Sequence, residues 1–311
     1  MAEKDWIRRY FAPLVRSAGA AGLTDDTAEL SPANGPVVIT TDAMVEGVHF
    51  FPDDPVETIA RKLVRVNVSD ILASGAEPRE ALLTLGWPAE GRSEAELAAF
   101  AAALGDELSQ WGADLIGGDT VVSPSGLFLS LTLTGACLGP APICRGGASA
   151  GDDVWVTGEI GAARRGYLWK TTGQGEAGWL AALRLPSLPP LSAAALLARE
   201  ASAAMDISDG LLGDLAALAA ASGLAAMIEL SAVPFAGGAE SLDQAVDLAS
   251  WGDDYQLLFT APPAARLAIE ASGIPASRIG SLVKGQGLAA RWQDAPVNLP
   301  ETLAFEHGRH A

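Results

Sequence analysis

Lysine is nearly missing from this chain: Lys4, Lys62, Lys170 and Lys284 are all there are in 311 residues. A phosphate cradle built on lysine is therefore poorly supplied, and neither a Walker A loop nor the protein-kinase catalytic motifs occur. Cysteine is scarcer still. Cys137 and Cys144 are too few and too close for a disulfide framework and show no metal–thiolate spacing. Cys137, in an apolar strand-like run, reads as packing. Three scattered histidines, His49, His307 and His310, exclude a histidine-based zinc site. No apolar run approaches the roughly 18 residues of a membrane span. The opening Met-Ala-Glu-Lys-Asp-Trp-Ile-Arg-Arg-Tyr lacks the apolar core of a secretory signal, so the expected location is cytoplasmic. Cations fall short as a class: 20 Lys+Arg against 38 Asp+Glu leave a formal charge of -18. That excludes a nucleic-acid partner, since nothing is in surplus to neutralise phosphates. Any phosphate ligand would need metal ions to reverse the local field.

What is present is enough apolar material, 49% of residues, for two ordinary domains and a substantial core. The periodicities predict a short helix over 5–20 and a strand from Val37 that ends at Asp42. A helix over 56–74 carries Ile59, Leu63, Val64, Val68, Ile71 and Leu72 and stops at Gly75. A strand over 80–86 follows, then a helix from Ser93 to Trp111 with Ser93 and Glu96 as a capping box. Asp114 to Ile116 is a short strand running into Gly117-Gly118-Asp119. From Leu127 to Leu138 residues alternate, leucines on one face and Phe128, Ser130, Thr132 and Thr134 on the other. That second face is uncharged, which fits coverage by another subunit. The turn-rich stretch 139–151 is the candidate linker. Beyond it come a strand at 154–157, a helix at 191–204, a helix from Leu211 to Ala221, and strands at 226–230, 256–260 and 278–283. Gly173-Gln-Gly-Glu-Ala-Gly178 has dinucleotide-loop spacing but follows no apolar strand, so it is dismissed.

Six aspartates sit in short polar pockets between apolar runs: Asp26, Asp42, Asp70, Asp119, Asp206 and Asp209. Each has a bland reading. Asp209 can simply cap the helix that starts at Leu211, although capping leaves Asp206 unexplained. Gly-Gly-Asp119 can be an ordinary turn, Thr40-Thr41-Asp42 a satisfied strand end, Asn67 with Asp70 a solvated helix face, and Asp25-Asp26 a turn. If they converge, two carboxylates about 5 Å apart repel by roughly 3 kcal/mol at an effective dielectric near 20. Several such pairs call for divalent ions, and several Mg²⁺ with a nucleotide are the natural occupants.

In order along the chain, these segments resemble the thiamine-monophosphate kinase family of the aminoimidazole ribonucleotide synthetase-like superfamily. The likeness is carried by Asp25-Asp-Thr-Ala, Thr40-Thr-Asp-Ala-Met-Val-Glu-Gly-Val-His-Phe50, Val66-Asn-Val-Ser-Asp-Ile-Leu-Ala-Ser-Gly-Ala-Glu-Pro78 and Leu115-Ile-Gly-Gly-Asp-Thr120. Gly151-Asp-Asp-Val-Trp-Val-Thr-Gly158, Met205-Asp-Ile-Ser-Asp-Gly-Leu-Leu212 and Asp253-Asp-Tyr-Gln-Leu-Leu-Phe259 complete it. The resemblance implies two α/β (α+β) domains. Residues 1–138 would form the ATP- and metal-binding half whose sheet pairs across a homodimer, and 150–311 the second half. It implies ATP as co-substrate, thiamine monophosphate as acceptor and direct in-line transfer without a phospho-enzyme. Implied Mg²⁺ ligands are Asp26, Thr40, Thr41, Asp42, Asp70, Asp119, Asp206 and Asp209, with Asp42, Asp119 and Asp209 closest to the chemistry. Implied nucleotide contacts are Gly118, Asp119, Arg145 and Ser208; implied substrate contacts are His49, Asp253 and Phe305.

The chain also departs from the family pattern. Gly-Ile-Gly-Asp-Asp is Gly22-Leu-Thr-Asp-Asp here, Gly-Asp-Thr-Thr-Arg is Gly118-Asp-Thr-Val-Val, and Gly-Gly-Glu-Asp-Tyr-Glu-Leu is Trp251-Gly-Asp-Asp-Tyr-Gln-Leu. Two readings therefore stand beside the kinase. One is a superfamily ATP enzyme with another small phosphate or carboxylate acceptor. The other is a regulator that binds nucleotide or thiamine phosphate without turnover. Selenophosphate synthesis is disfavoured, since no cysteine precedes Cys137.

Overall fold

A computed structural model describes residues 3–24, 27–31 and 33–304, which form two compact units. Of these residues, the first unit takes those up to Ile71 and Glu77–Pro140; the second takes Leu72–Ala76 and residues 141–304.

The first unit begins with a helical turn, α1 (Glu3–Trp6), which loosens into a π-turn (Ile7–Phe11) and a 3₁₀ turn (Ala12–Leu14). The expected single helix over 5–20 does not form. Pro13 lacks the N–H a regular helix would need, and residues 18–23 turn again with Ala21 and Leu23 left-handed. Then follow β1 (Val37–Val45), α2 (Val56–Ala73), β2 (Ala76–Pro88), α3 (Glu94–Gln110), β3 (Asp114–Ser123) and β4 (Phe128–Cys137). Both halves of the α3 capping box are made: Ser93 Oγ accepts from the Glu96 N–H at 3.2 Å, and Glu96 Oε2 accepts from the Ser93 N–H at 2.7 Å. The sheet order is β1-β4-β2-β3. One face carries Leu83, Leu85, Leu129, Leu131 and Leu133, all buried, and Trp87 meets Phe100 of α3 edge-on.

Two strands run further than their local sequence implies. β1 continues past Asp42 because β4 pairs with all nine of its residues, from Val37↔Ala136 to Val45↔Phe128. β3 continues through Gly117-Gly118-Asp119, parallel to β2, after a register shift at Ala81/Leu82. A Cβ on Gly118, at φ 152°, would overlap the Leu83 carbonyl of β2, so this glycine admits a neighbouring strand and forms no turn.

The second unit contains β5 (Asp153–Thr157), α4 (Ala162–Thr172), α5 (Leu180–Arg184), α6 (Leu191–Glu200), β6 (Ala203–Asp206), α7 (Leu211–Ala221), β7 (Ala225–Glu229) and α8 (Leu242–Ala249). It closes with β8 (Leu257–Ala261), α9 (Arg266–Glu270), β9 (Ala276–Val283), β10 (Gly287–Trp292) and β11 (Ala295–Val297). The predicted helix over 191–204 ends at Glu200, because 203–206 is taken into the sheet against β8. Its seven strands lie in the order β11-β10-β7-β9-β5-β8-β6. Val154, Val156, Leu258 and Ile279 of the sheet share a core with Leu211, Leu212, Leu215 and Leu218 of α7. The Gly173–Gly178 spacing follows the end of α4 rather than a strand, which removes the dinucleotide-loop reading. Neither Cys137 nor Cys144 is in a disulfide. Among the described residues no helix is long and apolar enough to cross a membrane.

Candidate active site

In the first unit, alternation along β1 divides the candidate ligands between the two sheet faces. Thr40 and Asp42 point toward α2. Thr40 Oγ1 donates to Asp70 Oδ2 at 2.5 Å. The Asp42 N–H donates to Asn67 Oδ1 at 3.1 Å, while Asn67 Nδ2 donates to the Leu63 carbonyl at 2.9 Å. Asn67 is fully buried, so it does not lie on a solvated helix face; its amide locks β1 onto α2 beside the carboxylates. Burial and the charge of Asp70 push the Asp42 carboxyl up to about 6.

Thr41 and Asp119 lie on the other face. The Thr41 hydroxyl accepts from Thr132 Oγ1 at 3.1 Å and lies 3.3 Å from Ser130 Oγ. Asp119 is exposed and registers with Thr84 of β2. Thr84, Thr132, Gly118 and Asp119 line a cavity of about 610 Å³, closed on another side by Phe11 and Leu23. His49 sits in the turn after β1. Its Nδ1 accepts from the Val45 N–H at 3.0 Å, which places the proton of the neutral ring on Nε2. Buried Lys62 donates to the His49 carbonyl at 3.0 Å.

In the second unit β6 delivers Asp206, which is buried, and the chain turns through Ser208 and exposed Asp209 into α7. The residue that precedes α7 is Gly210, with no side-chain cap, and the carboxylate that folds back onto the entry turn is Asp214. Its Oδ2 accepts from the N–H groups of Asp209 and Gly210 at 3.2 and 3.1 Å. Asp209 is therefore not the cap, and its carboxylate is left for other work. Burial, and next the charge of Asp209, push the Asp214 carboxyl up to about 7, opposed by those two N–H groups and by Arg145. Arg145 is itself exposed. Asp214 escaped the sequence reading; a carboxylate four residues into a helix that opens on glycine is the signal that was there to find.

Asp253 lies in a segment hydrogen-bonded to the Asp206–Asp209 turn. The Asp253 N–H donates to the Ser208 carbonyl at 2.9 Å, Tyr255 N–H to Ile207 at 2.8 Å, and Ile207 N–H to Gln256 at 2.8 Å. Tyr255 Oη donates to Asp253 Oδ1 at 3.0 Å. Asp253, Gln256, Thr157 and Pro189 border a cavity of about 370 Å³. Asp254 turns inward, where both its oxygens accept from the Gly161 N–H at 2.9 Å. Burial pushes its carboxyl up to about 8. Asp26 and Phe305 lie outside the described residues.

Among the described residues, no group of three or more His, Cys, Asp or Glu side chains is assembled to hold a metal. What does form is the Asp42–Asp70 pair with the Thr40 hydroxyl, an oxygen-only set whose mutual repulsion fits a hard divalent cation.

Residues 24–137 match the model of the N-terminal domain of AIR synthase related proteins, and 149–293 match that of the C-terminal domain. A thiamine-monophosphate kinase of Caulobacter vibrioides is 37% identical, covering 98% of this chain and 91% of that protein. The crystal structure of the thiamine-monophosphate kinase from Stenotrophomonas maltophilia superposes with a TM-score of 0.78 at 32% identity, covering 88% of this chain and 90% of that one. That of AaThiL complexed with AMPPCP and TMP gives 0.75 at 26% identity, covering 91% of both chains. This chain belongs to the thiamine-monophosphate kinase family and has its two-domain AIR synthase-like α+β fold.

Proposed function

We propose that this chain transfers the γ-phosphoryl group of ATP to thiamine monophosphate, giving thiamine diphosphate and ADP. The observation that carries this is end-to-end kinship with the Caulobacter kinase, over 98% of the chain. Mg²⁺ would be held by Asp26, by Thr40, Asp42 and Asp70 on one face of the first sheet, by Thr41 and Asp119 on the other, and by Asp206 and Asp209. When bound, it neutralises the phosphates and offsets charge developing on the transferred group. Gly118, Asp119, Ser208 and Arg145 would contact the nucleotide. Gly118 and Asp119 line the cavity of the first unit, and Arg145 is an exposed cation in a chain with few. His49, Asp253 and Phe305 would contact the acceptor.

The nucleophile is a phosphate oxygen of the acceptor, largely ionised at neutral pH. No strong general base is required, which suits the aspartate-rich, histidine-poor residue set. With no base to regenerate and no covalent step needed, transfer is direct and in line. Asp42, Asp119 and Asp209 orient the phosphates for it, since positioning is most of the catalysis of phosphoryl transfer.

A homodimer is part of the proposal. The open face of the β1-β4-β2-β3 sheet exposes Ile39, Val45, Leu82, Val121 and Phe128, an apolar surface that a second copy would cover.

The test is product analysis with purified protein, ATP, Mg²⁺ and thiamine monophosphate. Thiamine diphosphate and ADP in equal amounts are expected. Mg²⁺-dependent ATP binding without product would instead favour another acceptor, or a binding protein without turnover. Asp253 and Val121-Val122, where the family motif has Glu and Thr-Arg, are the residues that would carry such a change.

A further inference from the structure

Residues 250–256 hold an unusual backbone. Asp253 (φ 67°) and Tyr255 (φ 50°) are both left-handed without being glycine, a conformation that persists only where the surroundings over-determine it. Three restraints are hydrogen-bonded: the bonds to Ile207 and Ser208, the Asp254 carboxylate on the start of α4, and the Tyr255 hydroxyl on Asp253. A fourth is built from side chains. The Trp251 ring packs against Tyr167 of α4, tilted by 35° with 4.6 Å between centroids. The Arg164 guanidinium, one turn earlier on α4, lies 4.4 Å from the centroid of the same Trp251 ring. Arg164 is in turn held by Asp247 of α8, with hydrogen bonds of 2.8 to 3.2 Å to both carboxylate oxygens. α8 ends at Ala249, two residues before Trp251. An ion pair between two helices thus presents a cation to an aromatic ring at the entry to the Asp253 loop.

We infer that Trp251 is a positioning residue for the acceptor: packed against Tyr167 and Arg164, two neighbours on α4, it holds the loop against that helix and so fixes where the short Asp253 side chain reaches. The inference rests on the acceptor-side role of Asp253 proposed above. An aspartate has one methylene less reach than a glutamate, so its backbone must be held in a narrower range to make the same contact. Preorganisation of this kind lowers the ordering cost of binding without adding a contact. Trp251 and Asp253 are two of the places where this segment departs from the family's Gly-Gly-Glu-Asp-Tyr. A bulky aromatic anchor accompanies the shortened acid.

The test is steady-state kinetics of the full-length wild type, Trp251→Gly, Trp251→Gly/Asp253→Glu and Tyr167→Ala, varying thiamine monophosphate and ATP separately. Trp251→Gly is expected to raise KM for thiamine monophosphate by about 10-fold, leaving kcat and KM for ATP within about twofold. The double variant should recover most of that loss, because the longer acid regains the reach that a looser loop gives up. Tyr167→Ala, which leaves the loop sequence intact, should show the same selective rise and keeps the question open to test if Trp251→Gly does not fold. An unchanged KM for thiamine monophosphate in the folded variants overturns the inference. So does an equal loss toward both substrates, or a double variant no better than the single one. Thiamine diphosphate made by the wild type with no KM effect in the variants overturns the inference alone; no thiamine diphosphate from the wild type overturns the functional reading with it.

Discussion

The backbone N–H of Asp253 donates to the carbonyl oxygen of Ser208 at 2.9 Å, joining the acceptor-side loop to the turn that carries Asp206 and Asp209. The neighbouring Gly252 makes this approach possible. A Cβ there would overlap the Ser208 carbonyl oxygen and sit 2.9 Å from its carbon, against main chain that cannot swing aside. Gly252→Ala should therefore pry the two segments apart. The expected cost is about 1–3 kcal/mol or more, read as a fall in Tm of roughly 2–12 °C. Activity should fall further than the loss of folded protein explains. A variant with unchanged Tm and activity would show that the contact is not tight in solution.

Asp209 and Asp214 divide function from support of the turn into α7. Because it is Asp214 that accepts from the Asp209 and Gly210 N–H groups leading into α7, Asp209→Asn should leave Tm near that of the wild type while lowering kcat by about 100-fold or more. Asp214→Ala should cost about 1–3 kcal/mol of stability, because it leaves the Asp209 and Gly210 N–H groups without their acceptor. Wild-type turnover in Asp209→Asn, measured by thiamine diphosphate formation, would remove Asp209 from the reaction.

Why one carboxylate was legible in the sequence and the other was not has a physical reason. Elements that carry their own signals were readable: α2 from its apolar period and Gly75, α3 from Ser93 and Glu96, β4 from strict alternation. Where a strand stops depends on its partner, so nothing near Asp42 or Asp119 announced that both lie mid-strand. Register decides faces, and only pairing with β4 and β2 separates Thr41 and Asp119 from Thr40 and Asp42. Asn67 looked like a solvated polar residue because its acceptor role is toward a main-chain N–H 25 positions earlier. A buried amide is identified by its partner, and the partner is not in the local pattern.

The proposed Mg²⁺ pair predicts a pH profile. Burial and the Asp70 charge raise the Asp42 carboxyl to about 6. Below that pH its protonated form predominates, and a cation must displace the proton to bind. The KM for Mg²⁺ should therefore be flat from pH 8 down to about 6 and rise toward tenfold per pH unit below it. Asp70→Asn weakens binding throughout but removes the like charge, so the break should move to lower pH. A break that stays put in Asp70→Asn would show that another group, such as the substrate phosphate, sets the profile.

Asp254 makes the opposite kind of prediction, about stability without metal or nucleotide. Burial is the main cause that raises its carboxyl to about 8, with the Gly161 N–H opposing and the Asp253 charge adding to it. In the unfolded chain an aspartate titrates near 3.9. Between these values the folded state binds more protons than the unfolded state, so this group's contribution is complete at low pH and is lost as pH rises through about 8. Asp254→Asn keeps an acceptor for Gly161 but has no proton to lose. Other titrations are common to both proteins and cancel in the difference. The stability of the variant relative to the wild type should therefore climb from pH 5 to 8, with a limiting slope of about 1.4 kcal/mol per pH unit, and level off above. Denaturant titrations at fixed ionic strength across that range measure it. A pH-independent difference would mean that Asp254 is already ionised at pH 5, held so by the N–H groups at the start of α4.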